Sequence, residues 1–87
     1  MTDLTIFTSP TCGPCRILKP ELRELCNDLD ITLEERDISR ADDKAAALAA
    51  GVRGVPAVIH NSTGTVLFTG NISRAAIVDV LQARGII

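Results

Sequence analysis

The chain has 87 residues, a net charge of −2, and Phe7 and Phe68 as its only aromatic side chains, with no Trp or Tyr. These figures exclude a nucleic-acid binder, which needs a basic surface for phosphates or rings on which bases can stack. No apolar run approaches the ~20 residues that span a bilayer, which excludes a membrane-embedded chain.

A chain of this length fits one domain, residues 1–87, and buries only about 60–65% of its unfolded surface, so its core must be dense in Leu, Ile, Val and Ala. Met1-Thr2-Asp3-Leu4 runs directly into a strand-like segment with no basic stretch or cleavage site, which predicts a soluble, cytoplasmic, monomeric protein. The three cysteines are an odd set, and two of them form a C-x-x-C too tight to staple distant elements. Redox or metal chemistry therefore outranks a disulfide scaffold.

Leu4 to Thr8 is β-branched and apolar, and Ser9-Pro10-Thr11 ends it, because proline blocks strand pairing. From Gly13 to about Leu29, the residues Leu18, Leu22, Leu25 and Leu29 recur at helical spacing and predict an amphipathic helix. Alternation returns from Ile31 to Ile38 and predicts a second strand; Asp42-Asp43 then opens an alanine-rich helix, Lys44 to Ala50, closed by Gly51. Pro56 to His60 and Thr65 to Thr69 flank the turn-forming Asn61-Ser62-Thr63-Gly64 and predict an antiparallel hairpin. Ser73 is placed to cap a last helix, whose face carries Ala76, Ile77, Val80 and Leu81 and which ends near Gly85. The order β-α-β-α-β-β-α predicts an α/β domain: a mixed four-stranded sheet with three helices, its first two strands parallel and joined by a right-handed crossover.

Cys12-Gly13-Pro14-Cys15 falls at the first strand-to-helix turn. Unpaired backbone N–H groups and the helix dipole favour an anion there, so the Cys12 thiol ionises more readily than a free one and is the expected nucleophile. Cys15 lies one turn further along the same side and is the expected resolving thiol, able to attack a mixed disulfide formed on Cys12. Gly13 lets a substrate backbone come close, and Pro14 sits in the first turn, where its missing N–H costs little.

This tetrapeptide resembles the active-site sequence of the thioredoxin family, and two further segments carry the resemblance. Arg53-Gly54-Val55-Pro56 is similar to the family segment ending in a cis-proline that faces the two sulfurs, and Pro20 resembles the family's helix-kinking proline. The resemblance implies a minimal thioredoxin-like fold, a cis Pro56, a substrate paired on the backbone of Val55, and substrate contact at Thr11. It implies a reductase of protein disulfides with no metal or organic cofactor, re-reduced by thioredoxin reductase or by glutathione.

The chain also departs from the pattern. Thr11 stands where thioredoxins carry a tryptophan, their extra β-α unit ahead of the first strand is missing, and Ile6 occupies the place of the buried aspartate that helps deprotonate the second cysteine. That leaves Cys15 without an assigned proton acceptor. The length is that of a glutaredoxin, yet Gly70-Asn71-Ile72-Ser73 offers one glycine and no acid where glutaredoxins receive glutathione. A glutaredoxin-like, glutathione-dependent enzyme is the nearest alternative, and a module holding a metal or iron–sulfur cluster between two subunits is a third. With only Cys26 and His60 as further ligands, a tetrahedral site would need two chains.

Cys26 reads as a plain buried thiol, since a helix carries it about 16 Å beyond Cys15. His60 reads as a solvent-facing or capping residue, and Arg16, Lys19 and Arg23 as a solvated helix face near the cysteines.

Overall fold

The computed structural model describes residues 2–87 and contains seven elements in chain order: β1 (Leu4–Thr8), α1 (Gly13–Asp28), β2 (Leu33–Asp37), α2 (Ala41–Ala49), β3 (Ala57–His60), β4 (Thr65–Thr69) and α3 (Arg74–Ala83). They form one mixed four-stranded sheet with β1 parallel to β2 and β3–β4 a hairpin, as the pattern predicts; the structure adds the order β2-β1-β3-β4, with β1 antiparallel to β3.

All five residues of β1 are buried, which marks it as a strand covered on both faces. The side-chain period of two divides it. Leu4 and Ile6 pack with Leu18, Leu22, Leu25 and Cys26 of α1, Val58 of β3, and Ile77 and Leu81 of α3. Phe7 turns the other way, against Ala47 of α2, Val52 and Ala57. The molecule is thus three layers deep, with α1 and α3 on one side of the sheet and α2 on the other. Asp28 and Glu24 of α1 hold Arg74 of α3 at 3.0 and 3.9 Å, joining the two helices of the thicker layer.

Three elements start at other residues than the sequence reading gives, each for a hydrogen-bonding reason, and the ends of β2 and α2 each fall one residue earlier. The second strand starts at Leu33 rather than Ile31, because the Ile31 amide is taken up by the Cys26 carbonyl, 2.8 Å away. Helix α2 starts at Ala41, before Lys44, with Asp42 and Asp43 inside its first turn; there Asp43 ties the helix to β2 by accepting from the Asp37 amide and from Arg36. Pro56 precedes β3 instead of opening it, since it has no N–H to give to a ladder.

The three helices end alike. The amides of Ile31, Val52 and Ile86 reach back to the carbonyls of Cys26, Ala47 and Leu81, and the residue just before each amide has a positive φ. This is the Schellman stop, which satisfies the last helical carbonyls and needs a left-handed residue after the cap. Gly51 and Gly85 fill that place in α2 and α3, whereas α1 uses Asp30 at φ 57. A Cβ in that region is strained, so Asp30→Gly is expected to raise stability by about 0.5–1 kcal/mol and the melting temperature by ~3–6 °C. Thermal and urea unfolding followed by far-UV circular dichroism measure it.

Candidate active site

Strand β1 ends in Thr8, and the following turn is bonded to itself. The Ser9 carbonyl accepts from the Cys12 amide at 3.2 Å, Ser9 Oγ accepts from the Thr11 amide at 3.3 Å, and the Ser9 and Thr11 hydroxyls are 3.1 Å apart. These contacts hold Cys12 in extended geometry, φ −86 and ψ 108, as the N-cap of α1. A cap side chain receives one of the orphan amides of the first turn. Here the acceptor is sulfur: the Cys15 amide donates to Cys12 Sγ at 3.1 Å.

Cys12 and Cys15 are joined in a disulfide, with Cα atoms 5.3 Å apart. Their surroundings differ. Cys12 is half-buried, flanked by exposed Thr11, Gly13 and Pro14, whereas Cys15 is only 2% accessible. An extra Cβ on Gly13 would meet no atom within 4 Å, so nothing inside the chain requires glycine at this position.

Val55–Pro56 is a cis peptide bond. The pairing Phe7↔Ala57 sets Pro56 at the C-terminal end of β1, the edge from which the Cys12 turn departs. Pro56 is fully buried, and its carbonyl accepts from the Gly70 amide at 2.8 Å; Val55 is half-buried beside Phe7's side of the core. The cysteine pair, Gly13, Pro14, Thr11, Val55 and Pro56 therefore converge on one end of the sheet. His60 pairs with Leu4 at the opposite end, with Nε2 3.0 Å from the Ser62 hydroxyl, and lies away from the cysteines.

The basic residues of α1 are less free than a solvated face implies. Arg23 grips both oxygens of Glu35 on β2, at 2.8 and 2.7 Å, and Lys19 Nζ stands 3.9 Å from the same carboxylate. These partners, led by the Arg23 hydrogen bonds, hold the Glu35 carboxyl below its usual range. Arg16 instead donates to the Pro10 carbonyl at 3.3 Å. Glu35, which the sequence reading does not single out, is the partner that holds Arg23 and Lys19; its signal is the parallel pairing with Ile6, which only the register reveals. Ser9, which the sequence reading treats only as a strand breaker, holds the turn before Cys12, and the available cue is the turn chemistry of a serine shortly before a helix.

Cys26 is the remaining thiol, 1% accessible and unbridged. Burial first, and the nearby Asp3 carboxylate second, push it up to about 11. Among the described residues no group of three or more His, Cys, Asp or Glu side chains is arranged to hold a metal ion.

A sheet of this topology with a closed Cys-x-x-Cys at the N-terminus of its first helix and a cis-proline at the same end of the sheet defines a thiol–disulfide oxidoreductase. The thioredoxin family model matches residues 2–83, and the chain belongs to the thioredoxin family. It is 28% identical over 81 residues to a thioredoxin of Methanocaldococcus jannaschii, covering 93% of each chain. A solved thioredoxin of Halobacterium salinarum, a point mutant, superposes with a TM-score of 0.75 at 28% identity, over 94% of this chain and 74% of that one. NADPH-dependent thioredoxin reductase 3 of Arabidopsis thaliana matches over 55 residues at 42% identity, 63% of this chain but only 10% of the reductase.

The geometry separates three thiols into a redox pair and an inert one. In the oxidised protein, a thiol reagent at pH 8 is expected to find no fast-reacting group, and one after unfolding, since Cys26 is bonded to nothing and only about a thousandth of it is thiolate at that pH. Mild reduction should then expose one fast thiol in the folded state, the half-buried Cys12, with the enclosed Cys15 reacting slowly, both counted by mass spectrometry after timed alkylation.

Proposed function

We propose that the protein reduces disulfides on other proteins, with Cys12 as the attacking thiol and Cys15 as the resolving one. The observation that carries this is the unequal setting of the two sulfurs: Cys12 faces outward as the acceptor of a first-turn amide, and Cys15 is enclosed. A donor already aimed at Sγ, at the positive end of α1, stabilises a thiolate there. The Cys12 thiolate attacks one sulfur of the substrate disulfide, forming a mixed disulfide and releasing one substrate thiolate, which takes a proton. Cys15 gives up its proton and attacks Cys12 Sγ. The Cys12–Cys15 bond forms, the second substrate thiolate leaves, and two electrons have passed to the substrate. The closed pair seen here corresponds to that product.

The open surface over Gly13 supports a role in letting a partner's backbone approach, since a side chain there would meet nothing of the chain itself. Among the described residues none bonds the backbone of Val55, which leaves its amide and carbonyl for an extended substrate beside Pro56. The hydroxyl of Thr11, fixed by Ser9, borders the same opening. A protein reductase of the flavin- and NADPH-dependent kind is the proposed electron source over glutathione: the relatives matched include thioredoxins and a thioredoxin reductase, and no acid stands in Gly70–Ser73 to receive glutathione's amino end. The proposed setting is the cytoplasm, where thiols are kept reduced and a dithiol reductant can be regenerated, with the chain acting as a monomer. No helix among the described residues is long and apolar enough to cross a membrane.

The test is insulin reduction coupled to NADPH oxidation, with thioredoxin reductase in one arm and glutathione plus glutathione reductase in the other. Turnover is expected in the first arm; turnover confined to the second would replace this reading with a glutaredoxin-like one. Cys12→Ser should fall below about a thousandth of the wild-type rate, and Cys15→Ser should accumulate a mixed disulfide on Cys12 visible by mass. Gly13→Ala should leave stability within about 0.5 kcal/mol while lowering kcat/KM for insulin several-fold more than for a small aromatic disulfide.

A further inference from the structure

Resolution requires a buried thiol to ionise, and burial alone opposes that. Cys15 is 2% accessible, and Ile6 of the neighbouring strand β1 is fully buried and offers no charge. The parallel register sets Ile6 beside Glu35, and both face α1: Ile6 packs on Leu18 and Leu22, and Glu35 binds Arg23. The charge absent from the central strand reappears one strand further out.

A groove joins the two places. One part, of about 160 Å³, is lined by Thr8, Ser9, Pro10, Cys15, Arg16 and Lys19. It shares Thr8, Ser9, Pro10 and Lys19 with a larger part of about 370 Å³ that ends on Glu35, Arg36 and Asp37. Lys19 is the one charged residue common to both parts, four residues after Cys15 and so on the same side of the helix.

The other charges are committed elsewhere. Arg16 bonds the Pro10 carbonyl, Arg36 is held by Glu34 and Asp43, and Arg23 occupies both oxygens of Glu35. Asp37, at the groove's outer end, accepts from the Ser39 amide and feels Lys19 and Arg40. β1 and its following turn contribute only hydroxyls and Pro10 to the lining. Lys19 Nζ stands 3.9 Å from the Glu35 carboxylate, both of whose oxygens Arg23 already binds, so the carboxylate's charge is shared between two cations.

We propose that Lys19 is a positioning residue for the resolving step: its ammonium, anchored by Glu35, stabilises the Cys15 thiolate while the proton leaves to solvent along the groove. The thiolate then attacks Cys12 Sγ as the bond from Cys12 to the substrate breaks, and the departing substrate thiolate takes its proton from solvent. The inference rests on Cys15 being the resolving thiol.

The reduced protein is mixed with a small excess of 5,5′-dithiobis(2-nitrobenzoic acid), whose coloured thiolate is released once by Cys12 attack and again by resolution. Both phases are followed from about pH 5 to pH 10. Lys19→Met is expected to slow the second phase about tenfold near neutrality and to move its pH midpoint up by about one unit, with the first phase unchanged. Lys19→Arg should restore the second phase to within about threefold of wild type. A Lys19→Met protein with a wild-type second phase, equal slowing of both phases, or a Lys19→Arg protein no better than Lys19→Met would each overturn the proposal. Cys15→Ser separates this from the underlying reading: a second phase surviving in that variant removes Cys15 from resolution altogether, whatever Lys19 does.

Discussion

The burial of β1 on both faces is the constraint that organises the rest of the molecule. A strand covered on two sides must carry apolar or internally satisfied residues throughout, and Leu4, Ile6 and Phe7 do so while Thr5 gives its hydroxyl to Asn61 at 2.7 Å. Its two neighbours then determine what lies at its C-terminal end. The parallel neighbour β2 brings Glu35, Arg36 and Asp37 to one side of the active-site turn, and the antiparallel neighbour β3 brings Pro56 to the other. The reacting cysteines need no scaffold of their own. They stand where a fully buried strand stops and a helix begins.

At that junction, ordinary helix-end chemistry becomes redox chemistry. Every helix must find partners for its first amides, and the other side-chain cap in this protein is the usual one: Ser73 Oγ accepts from the Ala76 amide at 3.1 Å. In α1 the same position is held by Cys12, so the hydrogen bond that closes the helix also aims a donor at the outer of the two paired sulfurs. One turn later the chain has entered the core, and Cys15 inherits the opposite environment. Two identical side chains three residues apart thereby acquire different surroundings, divided by the depth of a single helical turn. Cys26 shows the limiting case, a thiol so enclosed that burial holds it protonated and out of the chemistry.

With Ile6 in the central strand, the charged side chains nearest the end of β1 come from α1 and β2, where Lys19 shares a groove lining with Cys15 and stands 3.9 Å from Glu35. Lys19 and Glu35 keep part of their hydration at the protein's edge, avoiding the desolvation that an acid at position 6 would incur. The arrangement depends on β2 being highly charged, with Glu34, Glu35, Arg36 and Asp37 in succession. An edge strand tolerates such a run because one of its sides is open.

Much of this was legible in the chain itself. Local signals are short-range physics: the Leu18–Leu22–Leu25 spacing, the turn at Asn61–Gly64, the cap at Ser73 and the stops at Gly51 and Gly85 each specify an element within a few residues, and the element order followed. Cys12-Gly13-Pro14-Cys15 announced the site because its chemistry is confined to one helical turn. What the sequence left open depended on distant residues. The start of β2 was decided by the Ile31 amide bonding Cys26, the use of Asp30 as a helix stop by that same closure, and the engagement of Lys19 and Arg23 by a parallel register that sets Glu35 beside Ile6. Register, and the depth at which each sulfur comes to lie, are properties of packed elements and not of any segment, so only the tertiary structure decided them.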